Sequence, residues 1–148
     1  GPLGIIDNDE VLYYRREKSV NKCCVDRLEH KVGLVKMAVG IESDIIDFYI
    51  DHGYKGLVIE ALGRGNVPPA TMAGIKKAIA KDIPVVLVSR CATGRVLGSY
   101  GYEGGGKQLF EEGVINGGYL PGQKARVALM ALIAADKSKK EIEEFFKI

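Results

Sequence analysis

Two glycine-rich polar loops hold the residues of this chain that are best suited to bind a ligand. Each loop ends an apolar, β-branched run: residues 56–69 read GLVIEALGRGNVPP, and residues 84–106 read PVVLVSRCATGRVLGSYGYEGGG. Ligands of parallel α/β sheets bind outside the carboxyl ends of the strands. If both apolar runs are neighbouring strands of such a sheet, their loops meet at one edge and form a candidate pocket.

Asn66 and Glu103 are the candidate binding residues of these two loops. The side chain of Asn66 offers a neutral carbonyl acceptor and an amide donor, and Glu103 offers a negative charge. An acceptor beside an anion suits an ammonium group on a ligand. The simpler alternatives are a turn asparagine and a solvated glutamate, because turns use both residue types widely.

Glycines flank both candidates and form the scaffold of the two loops. Gly63 and Gly65 precede Asn66, and Gly104 and Gly105 follow Glu103. Glycine lets a backbone approach a ligand closely. Two phosphate-binding motifs are excluded: the first loop reads G-R-G-N-V-P instead of G-x-G-x-x-G, and no serine or threonine follows Lys107, as a P-loop requires.

The chain offers few groups for covalent catalysis. Its only threonines are Thr71 and Thr93, and no serine lies in a G-x-S-x-G segment. Cys91 follows a strand end, but the two histidines, His30 and His52, both precede it and nothing pairs them with it. We therefore predict no catalytic residue in this chain.

Cysteine usage bears on metals and on the cellular compartment. No C-x-x-C or Cys/His cluster is present, so we do not expect a zinc site. No other metal and no cofactor is implied. Two of the three cysteines are adjacent, and neighbours rarely form a disulfide because the geometry is strained. This pattern predicts a reducing, cytoplasmic environment.

Bulk composition indicates an ordinary globular domain. The chain has 148 residues, of which 47% are apolar and 27% charged, and this length suits one domain with its own core. The formal charge of +2, from 21 basic and 19 acidic residues, gives no reason to expect a nucleic acid partner. The apolar runs are far too short to cross a bilayer, so we expect no membrane partner.

The order of predicted elements is α/β. We expect a small three-layer domain, Rossmann-like, with a short and mostly parallel sheet and helices on both faces. A hairpin and a connecting segment would occupy residues 1–26, and the α/β domain residues 27–148. Predicted strands cover residues 32–39, 57–61, 85–89 and 114–115; predicted helices cover 43–51, 71–80, 105–112, 121–136 and 138–146. We expect Ser43 to cap the first helix, Gly53 to end it, and Ser138 with Glu141 to form a capping box for the last helix.

The long helix at residues 121–136 carries apolar side chains on more than one face. A helix that packs on one side only does not need this many, so we expect an exposed apolar surface and self-association. The residues concerned are Val127, Leu129, Met130, Leu132 and Ile133.

The loop sequences resemble one family, the L-asparaginases, and most closely its cytosolic bacterial type. Residues 63–68 (GRGNVP) resemble the family's G-x-G-N-x-P segment, and SRC at 89–91 with Thr93 and Gly94 resembles its strand-end S-R/Q-x-x-x-G element. Residues 100–106 (YGYEGGG) and 123–126 (QKAR) resemble a later loop and the K-A-R element that opens a long helix. These matches occur in order from about Val32 to Phe146.

The resemblance implies the smaller, C-terminal domain of an enzyme that hydrolyses asparagine to aspartate and ammonia. Family members carry a threonine nucleophile in a T-G-G-T segment, and a Thr-Asp pair with a lysine, on a larger N-terminal domain. This chain contains none of these segments. The family's active site lies between the N-terminal domain of one subunit and the C-terminal domain of a neighbour, which implies a homo-oligomer and a missing catalytic domain.

The resemblance also implies roles for single residues. Asn66 and Glu103 match positions that reach across to the amino group of the substrate. Cys91 matches a cysteine that lines an allosteric asparagine site in some cytosolic members, but the arginine that accompanies it there is Glu60 in this chain. Two alternatives remain open: a domain of a tRNA-dependent amidotransferase subunit, and a free-standing module that binds small amino acids or phosphates.

Overall fold

The computed structural model describes residues 4–7, 9–13 and 21–147 of the chain. The first part is the expected hairpin, in which β1 (Gly4–Asp7) pairs antiparallel with β2 (Glu10–Tyr13). Asp9 lies in the turn with a φ of 64°. Much of the predicted connecting segment, residues 14–20, lies outside the described residues, and the domain boundary at residue 26 stays a prediction.

A four-stranded parallel sheet forms the centre of the domain. Its strands are hydrogen-bonded in chain order, β3 to β4 to β5 to β6. The strands are β3 (Val32–Lys36), β4 (Gly56–Ala61), β5 (Val85–Ser89) and β6 (Ile115–Asn116). The helices are α1 (Asp44–Asp51), α2 (Met72–Ala80), α3 (Gly106–Glu111), α4 (Gly122–Ala134) and α5 (Lys139–Phe146).

Helices cover both faces of this sheet, which confirms the predicted three-layer α/β fold. When parallel strands follow one another in order, right-handed connections bring every connecting helix to the same face. Accordingly, Leu57 and Ile59 share one core with residues of α1, α2 and α3. Val58, which points to the other face, shares a second core with residues of α4 and α5.

Local signals explain most of the element ends. Gly53 has a φ of 70° and ends α1, and Ser138 and Glu141 form the predicted capping box at the start of α5. The expectation that the Ser43 side chain caps α1 is wrong. Ser43 stands at that position, but its hydroxyl instead donates to the Ala70 carbonyl oxygen (2.7 Å) and accepts from the Gly74 amide (3.1 Å).

The expectation of an exposed apolar surface on α4 is also wrong. The side chains of Leu129, Met130 and Leu132 are at least 93% buried, Ile133 is partly buried, and only Val127 is half exposed. One side of α4 packs on the sheet, while α5 and the segment before β3 cover further parts of it. Within the described residues, no helix has the length and apolar character that a bilayer crossing needs.

Candidate functional site

The loops after β4 and β5 meet at the carboxyl edge of the sheet, as the parallel topology predicts. The amide of Leu97 donates to the carbonyl oxygen of Arg64 (2.8 Å), and the amide of Val67 donates to that of Gly104 (2.9 Å). Val67 follows Asn66 in the chain, and Gly104 follows Glu103. The second bond therefore joins the two candidate residues through their immediate neighbours.

The loop after β4 is a tight turn that fixes the backbone of Asn66. Leu62 and Asn66 exchange backbone hydrogen bonds: the Leu62 amide donates to the Asn66 carbonyl oxygen (2.8 Å), and the Asn66 amide donates to that of Leu62 (3.0 Å). Gly63 and Gly65 lie inside this turn with φ values of 50° and 116°, which other residues adopt at a cost. The turn thus needs the two glycines that sequence analysis selected as scaffold.

The side chain of Asn66 holds an unused hydrogen-bond acceptor. Its Oδ1 atom is buried and, among the described residues, has no hydrogen-bond partner, although the residue as a whole is only partly buried. A buried polar atom without a partner costs about 1–3 kcal/mol, so native proteins keep few of them. This acceptor is therefore a place where a donor from a ligand or from another chain would be stabilised.

The loop after β5 tolerates only glycine at positions 104 and 105: Gly104 faces the first loop, and Gly105 faces another part of its own loop. A Cβ atom on Gly104, whose φ is 81°, would overlap the carbonyl oxygen of Val67. A Cβ atom on Gly105 would overlap the carbonyl oxygen of Tyr100. The glycine run before α3 therefore allows two backbone segments to touch, and it makes the two loops one compact platform.

Gln108, on α3, also holds this second loop, and sequence analysis did not identify it. The Gly104 amide donates to Oε1 of Gln108 at 2.9 Å. Gln108 is the third residue of α3, a position from which Glu or Gln side chains reach back to amides before the helix. A glutamine three residues into a helix that follows a glycine run was the available signal.

The second loop, which bonds to the residue after Asn66, carries several exposed side chains. Glu103 is exposed and, within the described part of the chain, has no cationic side chain within 4.0 Å. Tyr100 and Tyr102 are about half exposed, and their ring centroids lie 5.6 Å apart. A free carboxylate and an unused carbonyl acceptor are both groups that bind an ammonium ion, and aromatic rings also attract cations.

Arg90 connects the ends of three strands below this platform. Its amide donates to the carbonyl oxygen of Ala61 (2.9 Å), and its Nη1 donates to that of Met37 (2.9 Å). The Ser89 hydroxyl donates to the Gly63 carbonyl oxygen (2.6 Å) and so connects β5 to the first loop. These bonds fix the strand ends from which both loops begin.

Cys91 lies on the same edge but not beside the two candidate residues. Its exposed, free thiol lines two cavities of about 230 and 360 Å³, and neither cavity is lined by Asn66 or Glu103. The smaller cavity includes Glu60, which is 9% exposed and lies 3.5 Å from the ammonium of Lys36. A buried anion thus occupies the position where the family pattern has an arginine.

The two threonines differ in the availability of their hydroxyl groups. Thr71 is completely buried, and its hydroxyl donates to the carbonyl oxygen of Pro68 at 2.7 Å. Thr93 is exposed and lines the larger cavity beside Cys91. The hydroxyl of Thr71 is therefore committed to the turn before α2.

Comparison with known proteins gives one consistent family. Residues 31–146 match the family described as Glutaminase/Asparaginase C-terminal domain. The chain is 34% identical over 137 residues to an L-asparaginase of Bacillus licheniformis, covering 93% of this chain and 42% of that protein. It is 38% identical over 130 residues to a Glutamyl-tRNA(Gln) amidotransferase subunit of Pyrococcus horikoshii, covering 87% of this chain and 29% of that protein.

The fold agrees with that of a solved structure. The thermostable L-asparaginase from Thermococcus kodakarensis superposes with a TM-score of 0.80 at 21% identity, over 99% of this chain and 45% of that one. At this identity the likeness concerns the fold alone. The chain spans less than half the length of these relatives.

Proposed function

Because the chain belongs to the glutaminase/asparaginase C-terminal domain family, we propose that it serves as the C-terminal domain of a cytoplasmic L-asparaginase. That enzyme hydrolyses asparagine to aspartate and ammonia. In this scheme the nucleophile comes from a separate N-terminal domain, and this chain completes the substrate pocket of a neighbouring subunit. The three free cysteines are in keeping with the reducing environment of the cytoplasm.

One observation carries the proposal: the buried Oδ1 of Asn66 has no hydrogen-bond partner among the described residues, and its loop is bonded to the loop that carries the Glu103 carboxylate. The substrate's α-ammonium group would donate to Asn66 Oδ1 and pair with Glu103. The backbone at both residues is held without substrate, because the two loops are bonded backbone to backbone, and the Asn66 side chain then turns to present its buried Oδ1. The site therefore loses little backbone freedom when it binds.

Substitutions at these two residues test the proposal in the intact enzyme. Asn66→Ala removes the acceptor, and Glu103→Gln removes the charge at nearly constant shape. A charge-assisted contact contributes about 1.5–3 kcal/mol, so each change should lower kcat/KM for asparagine roughly tenfold to a hundredfold or more. Glu111→Gln is the matched control, because Glu111 is an exposed carboxylate on α3 whose one cationic neighbour is 4.0 Å away.

The outcome is decisive in either direction once the folding of each variant is verified by circular dichroism. If both variants fold and keep the wild-type kcat/KM, the proposed pocket is wrong. If Glu103→Gln alone keeps the wild-type kcat/KM, the carboxylate does not bind the substrate. Tyr100 or Tyr102 then becomes the candidate.

We propose that the chain on its own does not hydrolyse asparagine. Covalent catalysis needs an activated nucleophile, and the hydroxyl of Thr71 is buried in a turn. Ammonia release by the purified chain is the measurement, with Cys91→Ser as a check on the exposed thiol. Turnover that persists through repurification and disappears in the Cys91→Ser variant would contradict this proposal.

A second candidate function is a domain of a tRNA-dependent amidotransferase subunit. The observation in its favour is the 38% identity to the amidotransferase protein of Pyrococcus horikoshii. Against it, the near balance of 21 basic and 19 acidic residues argues against a tRNA partner. Formation of Gln-tRNA from Glu-tRNA by the intact protein would support this candidate, and hydrolysis of free asparagine without tRNA would support the first.

A homo-oligomer of the intact enzyme is also proposed, because a pocket shared between subunits requires one. Helix α4 gives little support, because Val127 is the only one of its large apolar residues that is half exposed. Sedimentation velocity of the intact enzyme at several concentrations would test this, and a strict monomer that retains full activity would contradict it.

Calorimetry of the isolated chain with asparagine tests the third possibility, a free-standing binding module.

A further inference from the structure

Gln108 is the side chain that holds the loop around Glu103 in place. In the described chain, it is the only side chain that hydrogen-bonds to residues 98–106; the other bonds there join backbone atoms. Its Oε1 accepts from the amide of Gly104, the residue that directly follows Glu103. A change at Gln108 therefore acts on the loop at the point closest to the candidate carboxylate.

Gly104 makes two hydrogen bonds, one through its amide and one through its carbonyl oxygen, and these link the two candidate residues to Gln108. Its carbonyl oxygen accepts from the amide of Val67, next to Asn66, and its amide donates to Gln108. Gly104 itself is buried, so water cannot easily replace either partner. These hydrogen bonds run from Gln108 through Gly104 to Val67. They therefore connect the residue after Glu103 to the residue after Asn66.

We propose that Gln108 is a positioning residue that sets where Glu103 lies relative to Asn66. The inference rests on the proposed function of that pair. Gln108 does not touch the ligand; it acts through the amide of Gly104. The residue that matters is thus an uncharged side chain on the first turn of α3, outside both loops.

The first test uses the chain by itself and does not depend on activity. Gln108→Leu removes the acceptor at similar size, whereas Gln108→Glu keeps an oxygen at the same place. Amide hydrogen exchange by NMR should be about tenfold faster at Gly104 in Gln108→Leu, equivalent to about 1.4 kcal/mol, and close to wild type in Gln108→Glu. Gln108→Ser gives the same reading if the leucine variant fails to fold. Unchanged exchange at Gly104 overturns the inference.

The second test separates positioning from a merely structural role in the intact enzyme. Gln108→Leu should lower kcat/KM for asparagine by about tenfold in the wild-type background and by less than about twofold when Glu103 is already Gln, because coupled residues are non-additive. Gln108→Glu should restore most of the loss, and Glu111→Gln should change nothing. Equal losses in both backgrounds overturn the inference alone. Wild-type activity of both Glu103→Gln and Asn66→Ala overturns the proposed function and the inference with it.

Discussion

Alanine substitutions at four glycines measure how tightly the two loops are packed, against each other at Gly104 and internally at Gly105. The glycines differ in two properties: a positive φ, which disfavours alanine, and a neighbour that a Cβ would overlap. Gly104 has both, Gly63 has only the positive φ of 50°, and Gly105 has only the overlap. Gly101 has neither, since its nearest neighbour would lie 3.8 Å away.

These differences predict an ordered series of stability losses. An alanine with left-handed φ costs about 1–2 kcal/mol, and inserting a methyl group into a packed region costs about 1–3 kcal/mol. The free energy of unfolding should therefore fall by about 1–2 kcal/mol for Gly63→Ala, about 1–3 for Gly105→Ala and about 2–5 for Gly104→Ala. Gly101→Ala should stay within about 0.5 kcal/mol of wild type.

Urea unfolding followed by far-UV circular dichroism provides the four values from one protocol. The slopes should agree among variants, because a local loop change leaves the total surface exposed on unfolding unaltered. A Gly104→Ala variant no less stable than Gly63→Ala would refute the close contact between Gly104 and the Val67 carbonyl. The compact platform proposed for the substrate site would then lack its structural basis.

Two further predictions concern Arg90 and Glu141. Replacing Arg90 with Met removes the bond to the Met37 carbonyl oxygen and should lower the free energy of unfolding by about 1–2 kcal/mol. The control Arg95→Met should change this free energy little. Equal urea midpoints for Arg90→Met and the wild type would contradict the prediction. Bonds from Lys137 and then Ser138 lower the pKa of Glu141 from 4.5 to about 2. The stabilisation by these bonds is therefore present above pH 4.5 and is lost as the pH falls through 2. NMR titration should show this carboxyl titrating near 2, and at a higher pH after Lys137→Met, which leaves only the Ser138 bonds; a wild-type value near 4.5 would contradict it.

The fold was predictable because its signals are local. Apolar β-branched runs mark β4 and β5, Gly53 ends α1, and Ser138 with Glu141 opens α5. Each of these depends on residues a few positions apart. The meeting of the two loops also followed from sequence, because the carboxyl ends of neighbouring parallel strands always share an edge.

The remaining features depend on packing between segments that are distant in sequence. The Ser43 hydroxyl bonds to Ala70 and Gly74, because α1 and α2 lie side by side. The second side of α4 is covered by α5 and by the segment before β3, where the Glu29 amide bonds to the Met130 carbonyl oxygen. No local pattern indicates such pairings.

The candidate site also has features that local sequence predicts and features that depend on packing between distant segments. Its residue types and its place at the sheet edge could be read from the chain. The missing partner of Asn66 Oδ1 could not, because the burial of one atom depends on every neighbour around it. The role of Gln108 was hidden for a similar reason: its rotamer and the path of the glycine run together decide which amide it reaches.

The two faces of the sheet are completed at different moments when the chain is synthesised. Helices α1, α2 and α3 alternate with the strands, so the face that carries Leu57 and Leu87 is covered as the strands emerge. The opposite face stays uncovered until residues 122–146, which form α4 and α5, have been synthesised. Until then it presents a row of apolar side chains that readily associate between nascent chains, namely Val32, Val58, Val86, Val88 and Ile115. A ribosome-bound chain therefore needs protection by chaperones until α4 and α5 have been translated and cover this face.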